Sequence, residues 1–372
     1  MRLVPIESVR EGSLLAKTIY GSNGTILLKE GAMLSAAIIA RLKYMQIYLL
    51  YIKDDYTTEV IEDIIKPELR QKSIKIIKNT FNRIALMKEA LQKKDSSSSK
   101  VFSTLKENDD YFASIHEVAQ ELIDNILSNK DILVNLVDIK SMDNYTYQHC
   151  VNTAVLSLCL GIAMKLNKYE LRDLCVGALV HDLGKVLISK DIILKSNTLS
   201  DDEFEEMKTH ALKGYEYLRN TREISITSKM IVLQHHERYD GRGYPGALKG
   251  EEINKLARLV SIADVYDALT SDRPYRRSIL PSEAMEYIMA SSGTLFDPHM
   301  VFIFSRVIVP YSNGTIVRLS NGDIGIVQET PLNFPLRPNV KILKSKDTSK
   351  VGRLVELVKE ISVVISSIEY SV

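Results

Sequence analysis

The sequence predicts a mainly α protein: a helical-bundle core, preceded by a small α+β domain and a helical connector, and followed by a small β appendage. Three observations carry that reading. Apolar residues recur at helical spacing through most of the chain between about 57 and 308. After residue 311 the period shortens to two around Asn-Gly pairs. Of the seven histidines, five fall between 149 and 236, inside the helical stretch.

Residues 1–56 read as short strands and turns with one helix. Ser22-Asn23-Gly24-Thr25-Ile26 carries a hairpin signal, and Ile38, Ile39, Leu42 and Ile47 have helical spacing. Residues 57–130 form the connector. Ile61, Ile64, Ile65, Ile74, Ile76, Ile77, Ile84 and Leu86 mark an apolar stripe, and Ile115, Val118, Leu122 and Ile126 mark a second. Between them Lys93–Lys100 (KKDSSSSK) reads as a flexible polar loop. The stripes predict packing or a homodimer seam. Residues 131–310 are dense in helix formers, with Val151, Ala154, Val155, Leu158 and Ile162 in helical register. In 311–372, Asn313-Gly314 and Asn321-Gly322 predict a pair of hairpins, and Val340–Leu343 and Ile361–Ile365 are β-branched runs. The string SNGTI at 22 and again at 312 reflects turn chemistry rather than a repeat.

The chain has 372 residues, enough for two or three domains, and a net charge of +1. That balance argues against a nucleic-acid polymer held by bulk electrostatics, while leaving room for a local basic pocket. Cys150, Cys159 and Cys175 include no CxxC pair, so they read as buried apolar residues in a reducing cytoplasm. No signal-peptide run opens the sequence, and Val301–Pro310 is too short and too interrupted to span a bilayer. A cytoplasmic protein with no membrane segment is expected.

The candidate chemistry lies in His149, His181-Asp182, His210, His235-His236 and Asp264, separated by 25 to 32 residues. Each interval is about one helix and its connector, so successive helices of a bundle can each deliver ligands to one centre. Imidazole and carboxylate donors without thiolate suit iron, manganese, cobalt or zinc. Seven donors exceed one ion's needs unless a carboxylate is shared, so the count favours two metals. Paired ions about 3.5–4 Å apart recur in phosphoester hydrolysis. His116 reads as a solvated helix residue, and Asp297-Pro298 as a helix cap that explains His299.

Two strings are unusually long. His181-Asp182-Leu183-Gly184-Lys185 and His235-His236-Glu237-Arg238-Tyr239-Asp240-Gly241-Arg242-Gly243-Tyr244-Pro245 resemble the signatures of the HD-GYP subgroup of HD-domain phosphohydrolases. The segment from Ser261 through Asp264, Asp267, Arg273, Tyr275 and Arg276 resembles that group's ADxxDALTSxRPYR block, and Thr209-His210 with Gly214 its intervening block. The resemblance covers about 140–310, and VRLSNGDIGIV resembles the usual C-terminal extension.

The resemblance implies an HD-type core and hydrolysis of cyclic di-GMP to pGpG, in some members onward to GMP. It implies that His149, His181, Asp182 and Asp264 hold one metal and Asp182, His210, His235 and His236 the other, with Asp182 bridging. Iron or manganese is expected, with a metal-bridging hydroxide as nucleophile. Lys185 would stabilise charge on the phosphoryl oxygens. Arg273 and Arg276 form a fork for the second phosphate or a surface ion pair. Tyr244 and Pro245 form a lip over the substrate or a structural turn. Asp240 orients a ligand or forms a turn. Members with three metals carry a Glu one turn before the first His; here Tyr145 stands there, which predicts two metals and pGpG as product. The alternatives are another cyclic dinucleotide as substrate, or a binding module that recruits a partner such as a diguanylate cyclase domain.

Overall fold

The computed structural model describes residues 1–21, 25–45, 47–53, 63–92, 98–128, 145–195, 197–271, 279–331 and 334–370. The protein is mainly α, with a small sheet at each end of a helical core.

Near the N-terminus β1 (Arg2–Pro5), β2 (Leu14–Leu15) and β5 (Leu49–Lys53) make an antiparallel sheet in the order β1-β5-β2. The short strands β3 (Ile19–Tyr20) and β4 (Ile26–Leu28) pair beside it; the Ser22–Gly24 turn predicted between them lies outside the described residues. Helix α1 (Ala36–Tyr44) starts at Ser35, whose side chain accepts the Ile38 amide.

The connector consists of α2 (Pro67–Gln92) and α3 (Ser98–Ser128). Ser98–Lys100, read from the sequence as loop, already belong to α3, and 93–97 lie outside the described residues. Serines are favoured where a helix begins, so a serine run does not itself require a loop. Ile74, Ile77, Phe81 and Ile84 of α2 and Ile115, Val118, Leu122 and Ile126 of α3 are buried within the chain, in one core that runs from Ile64 to Ile308. The stripes offered as a dimer seam are thus internal. Leu86, assigned to the first stripe, is exposed.

Helix α4 (Tyr145–Ala163) is buried without interruption from Gln148 to Gly161. A helix buried on all sides occupies the middle of a core, and α4 does so while carrying the polar His149 and Asn152. Around it pack α2, α5 (Lys168–Val180), α10 (Lys255–Thr270) and α12 (Pro298–Val307), and α9 (Ile226–Gln234) packs on α5 and α10. Helices α6 (Lys190–Ile193), α7 (Asp201–Lys208), α8 (His210–Leu218) and α11 (Pro281–Ala290) complete the bundle among the described residues. Capping boxes at Asn167/Glu170 and Ser200/Glu203 fix the starts of α5 and α7.

The C-terminal sheet is antiparallel, in the order β10-β6-β7-β8-β9, formed by β6 (Ile316–Leu319), β7 (Ile324–Glu329), β8 (Asn339–Lys344), β9 (Leu354–Glu356) and β10 (Ile365–Glu369). Asn321-Gly322 turns β6 into β7, with Gly322 at φ +88° where a side chain would strain the backbone. Asn313-Gly314 is not a second hairpin. It precedes β6, and the Gly314 amide donates to the Val327 carbonyl at 2.7 Å. The chain before it emerges from α12, so no strand is available for pairing. An Arg2 guanidinium nitrogen donates to the Tyr370 carbonyl at 2.9 Å, joining the two small sheets. No described helix is long and apolar enough to cross a membrane.

Candidate metal centre

Five helices deliver the seven residues to one place. His149 lies on the second turn of buried α4. His181 caps the C-terminus of α5 and Asp182 follows it. His210 opens α8, His235 caps α9 with His236 beyond it, and Asp264 lies in mid-α10.

Three imidazoles are oriented by the same device. The Nδ1–H of His181 donates to the Ala178 carbonyl at 2.7 Å, that of His210 to Met207 at 2.7 Å, and that of His235 to Val232 at 2.9 Å. A carbonyl only accepts, so each ring carries its proton on Nδ1 and points an Nε2 lone pair at the centre. Each of these carbonyls lies in the last turn of a helix, α5, α7 or α9, where backbone acceptors lack intrahelical partners.

The Asp182 carboxylate sits between two sets of nitrogens. Its Oδ1 is 3.6 Å from His210 Nε2 and 4.0 Å from His235 Nε2; its Oδ2 is 3.5 Å from His181 Nε2 and 3.9 Å from His149 Nε2. Asp264 Oδ1 is 2.9 Å from His149 Nε2, and its Oδ2 is 3.9 Å from His236 Nδ1. Three overlapping groups, Asp182/His210/His235/His236, His149/His181/Asp182 and His181/His235/Asp264, each place their donor atoms within 4.8 Å of one another. That span suits donors about 2.0–2.2 Å from a shared ion.

The donor set fits cations. His181 Nε2 and Asp182 Oδ1 are buried without a hydrogen-bond partner, a costly state unless something else satisfies them. His210 Nε2 and His235 Nε2 face each other at 3.3 Å, and with both protons on Nδ1 that contact sets lone pair against lone pair.

The electrostatics agree. Burial, then Lys185, pushes His210 down to about 4, and burial, then His210, pushes His236 down to about 3; burial, then the neighbouring histidines, hold His235 well below its usual range. These rings are neutral lone-pair donors at pH 7. His149 behaves oppositely. Burial alone would lower it, but hydrogen bonds to Asp264 and Asp267 raise it to about 9. Burial would raise Asp182, yet Lys185 and the surrounding histidines keep it well below the usual carboxylate range.

Lys185 lies on a 3-10 turn, Leu183–Leu187, rather than one α-turn beyond His181, and its ammonium pairs with Asp182 Oδ2 at 2.6 Å. Gly184 lets this turn lie against the start of α8, where a Cβ would collide with the His210 carbonyl and the Gly214 amide. The Tyr244 ring leans over His236 with centroids 4.8 Å apart, next to Pro245. Glu237 is buried and holds that loop, accepting the Gly246 amide at 2.6 Å and the Leu248 amide at 3.0 Å. Asp240 forms a turn: it accepts from the Arg242 amide and pairs with Arg238 at 2.6 Å. Arg273 and Arg276 lie outside the described residues. His116 is half-buried rather than solvated, donating to the Glu223 carbonyl at 2.6 Å, because the 219–225 turn folds onto α3. Asp297 accepts the His299 amide as a helix cap.

Asp267, Asn152 and Tyr145 belong to the surroundings of His149. Asp267 Oδ2 accepts the His149 Nδ1 proton at 2.7 Å, and Asn152 donates to Asp267 Oδ1 at 3.1 Å. The Tyr145 ring stacks on His149, nearly parallel at 5.8 Å between centroids. The i, i+3 spacing of Asp264 and Asp267 was the available signal, since it puts both carboxylates on one helix face.

A profile of the HD domain matches residues 122–300. Residues 122–300 are thus a segment that matches the HD-domain family. A second profile, the KOW domain associated with HD domains, matches 316–369 and so covers the C-terminal sheet. The chain is 35% identical over 233 residues to the cyclic di-GMP phosphodiesterase PA4108 of Pseudomonas aeruginosa, covering 63% of this chain and 56% of that one. It is 30% identical over 258 residues to the cyclic di-GMP phosphodiesterase of Thermotoga maritima, covering 69% and 64%. It is 32% identical over 196 residues to the 3'3'-cGAMP-specific phosphodiesterase 2 of Vibrio cholerae, covering 52% and 36%. The chain thus spans less than two thirds of the length of each of these relatives.

Proposed function

We propose that this protein is a metal-dependent phosphodiesterase that opens cyclic di-GMP to linear pGpG. The observation that carries the reading is the placement of Asp182, with one carboxylate oxygen toward His210 and His235 and the other toward His149 and His181. In this reading His149, His181, Asp182 and Asp264 hold one ion, and Asp182, His210, His235 and His236 the other. Two bound divalent ions supply an acidified water and neutralise charge on the phosphodiester. Iron and manganese suit these N/O donors.

The protein's own groups do the rest. The Nε2 atoms of His181, His210 and His235 are aimed by their Nδ1 hydrogen bonds before any ion arrives, so loading requires little reorganisation. Lys185 stands beside Asp182 at the half-exposed mouth and places an ammonium where phosphoryl oxygens approach. Tyr244 covers His236 and, with Pro245, forms a wall for a nucleoside. Arg273 and Arg276 supply the fork for the second phosphate. Tyr145 stacks on His149 where a third ion would need a carboxylate, which favours a product that stays at pGpG.

The names of the Pseudomonas and Thermotoga relatives support cyclic di-GMP, and that of the Vibrio relative supports a second reading with a guanine–adenine cyclic dinucleotide. Anaerobic purification, metal analysis and chromatography of both dinucleotides test the proposal. Turnover of cyclic di-GMP to pGpG is expected with about two ions per chain. No turnover with iron or manganese loaded refutes the enzymatic reading, and about three ions per chain refutes the two-metal reading. Asp182→Ala should abolish metal retention and turnover together.

A further inference from the structure

The connector helix reaches the centre through a buried arginine. Arg70 lies on the first turns of α2, outside the stretch matched as HD domain, and is 4% exposed. One guanidinium nitrogen donates to Asn152 Oδ1 at 2.5 Å. The Asn152 amide donates to Asp267 Oδ1 at 3.1 Å, and Asp267 Oδ2 accepts the His149 Nδ1 proton at 2.7 Å. The Ser271 hydroxyl donates to the Asp267 backbone carbonyl and lies 3.2 Å from the same Oδ2. His149 is thereby held from behind by a polar chain that crosses from α2 through α4 to α10.

We infer that Arg70 is a positioning residue for the metal centre, acting through Asn152 and Asp267 on His149. The inference rests on the metal reading above. The other tethered rings each meet the backbone carbonyl three residues earlier, whereas His149 turns its Nδ1 to Asp267. Its Nδ1 partner is a carboxylate on another helix, and that carboxylate needs partners of its own to stay in place. An amide side chain can also be flipped. The Arg70 guanidinium only donates, so it fixes Asn152 with its oxygen toward α2 and its NH2 toward Asp267. Groups that orient a metal-bound imidazole influence metal affinity by about 10–100-fold, and Arg70 lies two bonds further back along the same line. Lys88, at the other end of α2, donates to the Leu187 carbonyl at 2.9 Å, just beyond Lys185. The helix is therefore pinned at both ends to segments that carry site residues, so a displacement along α2 is felt at His149.

Co(II) binding to the full-length protein, followed by equilibrium dialysis and visible absorption, tests the inference. The wild type is expected to take up two ions; fewer would refute the metal reading itself, before any substitution is made. In Arg70→Met, one binding step should weaken by about 10-fold or more while the other stays as in wild type. The absorption bands of the weakened ion should shift as His149 loses its fixed orientation. Arg70→Lys retains the charge and one donor and should recover part of the affinity, which also covers the case in which the methionine variant does not fold. Asn152→Leu combined with Arg70→Met should be no weaker than Asn152→Leu alone. Equal weakening of both steps, unchanged binding, or additive losses in the double variant would each overturn the inference.

Discussion

A methyl group at residue 184 would strike the centre without touching any ligand side chain. A Cβ on Gly184 would sit 2.7 Å from the Gly214 nitrogen and 2.8 Å from the His210 carbonyl carbon, and closer still to the His210 carbonyl oxygen. Side-chain carbons do not approach backbone atoms below 3.0 Å, and backbone cannot rotate away as a flexible side chain can. The start of α8 or the 3-10 turn must therefore move, on the order of 1 Å, and His210 or Asp182 moves with it. Overpacking of this kind destabilises by about 1–3 kcal/mol, and a 1 Å misplacement of working groups lowers rate by about 100-fold. Gly184→Ala should thus lose roughly 100-fold in cyclic di-GMP turnover and much of the retained metal, with only a modest drop in denaturation midpoint. Metal analysis, chromatographic turnover and urea titration measure the three quantities. A variant with wild-type turnover and full metal content would refute the claim that this contact sets the position of His210.

Lys185→Met should lower kcat by about 100–1000-fold, as loss of one positioned electrostatic group does elsewhere; metal analysis should show the ions retained. The two halves of the centre should load with different pH dependence. His149 is raised to about 9 from 6.5, so in metal-free protein its proton stabilises the fold fully below about 6.5, and that contribution is lost as pH rises through about 9. A metal at Nε2 must displace that proton, so affinity at this half should climb by roughly tenfold per unit between those limits. His210, near 4, and His236, near 3, are already neutral there, so the other half should change little. Manganese titrations across that range check the difference. Phe81→Ala should cost about 3–5 kcal/mol in urea unfolding, because the ring is fully buried between α2 and Tyr147 of α4.

The metal-binding candidates were legible because their chemistry is written in adjacent letters. His181-Asp182 and His235-His236 stand out on any reading, and helical spacing explains how five segments converge. The support behind His149 was not legible in the same way. Asn152 and Asp267 are 115 residues apart, and Arg70 and Asn152 are 82 apart. A polar residue in a helix is usually solvated, and no local pattern names a distant partner. One signal did exist. Arg70 falls in register with Ile74, Ile77 and Phe81, so a charge interrupts the apolar stripe on the buried face of α2. A charged residue inside such a stripe demands an internal partner. The Asn313-Gly314 hairpin failed for a related reason: the dipeptide specifies a turn, while the presence of strands on both sides depends on what the neighbouring chain packs against.

The three rings tethered to Ala178, Met207 and Val232 give the bundle an unusual dynamic constraint. Helix ends ordinarily breathe, opening their last turn at little expense. At α5, α7 and α9 a carbonyl of the final turn is also the group that aims an imidazole, so each brief fraying event turns a donor away from the centre. Occupancy by an ion should quiet all three ends at once. Amide exchange in these turns, tens of residues apart in sequence, should therefore slow together on metal addition, as one cooperative unit rather than as three independent helix ends.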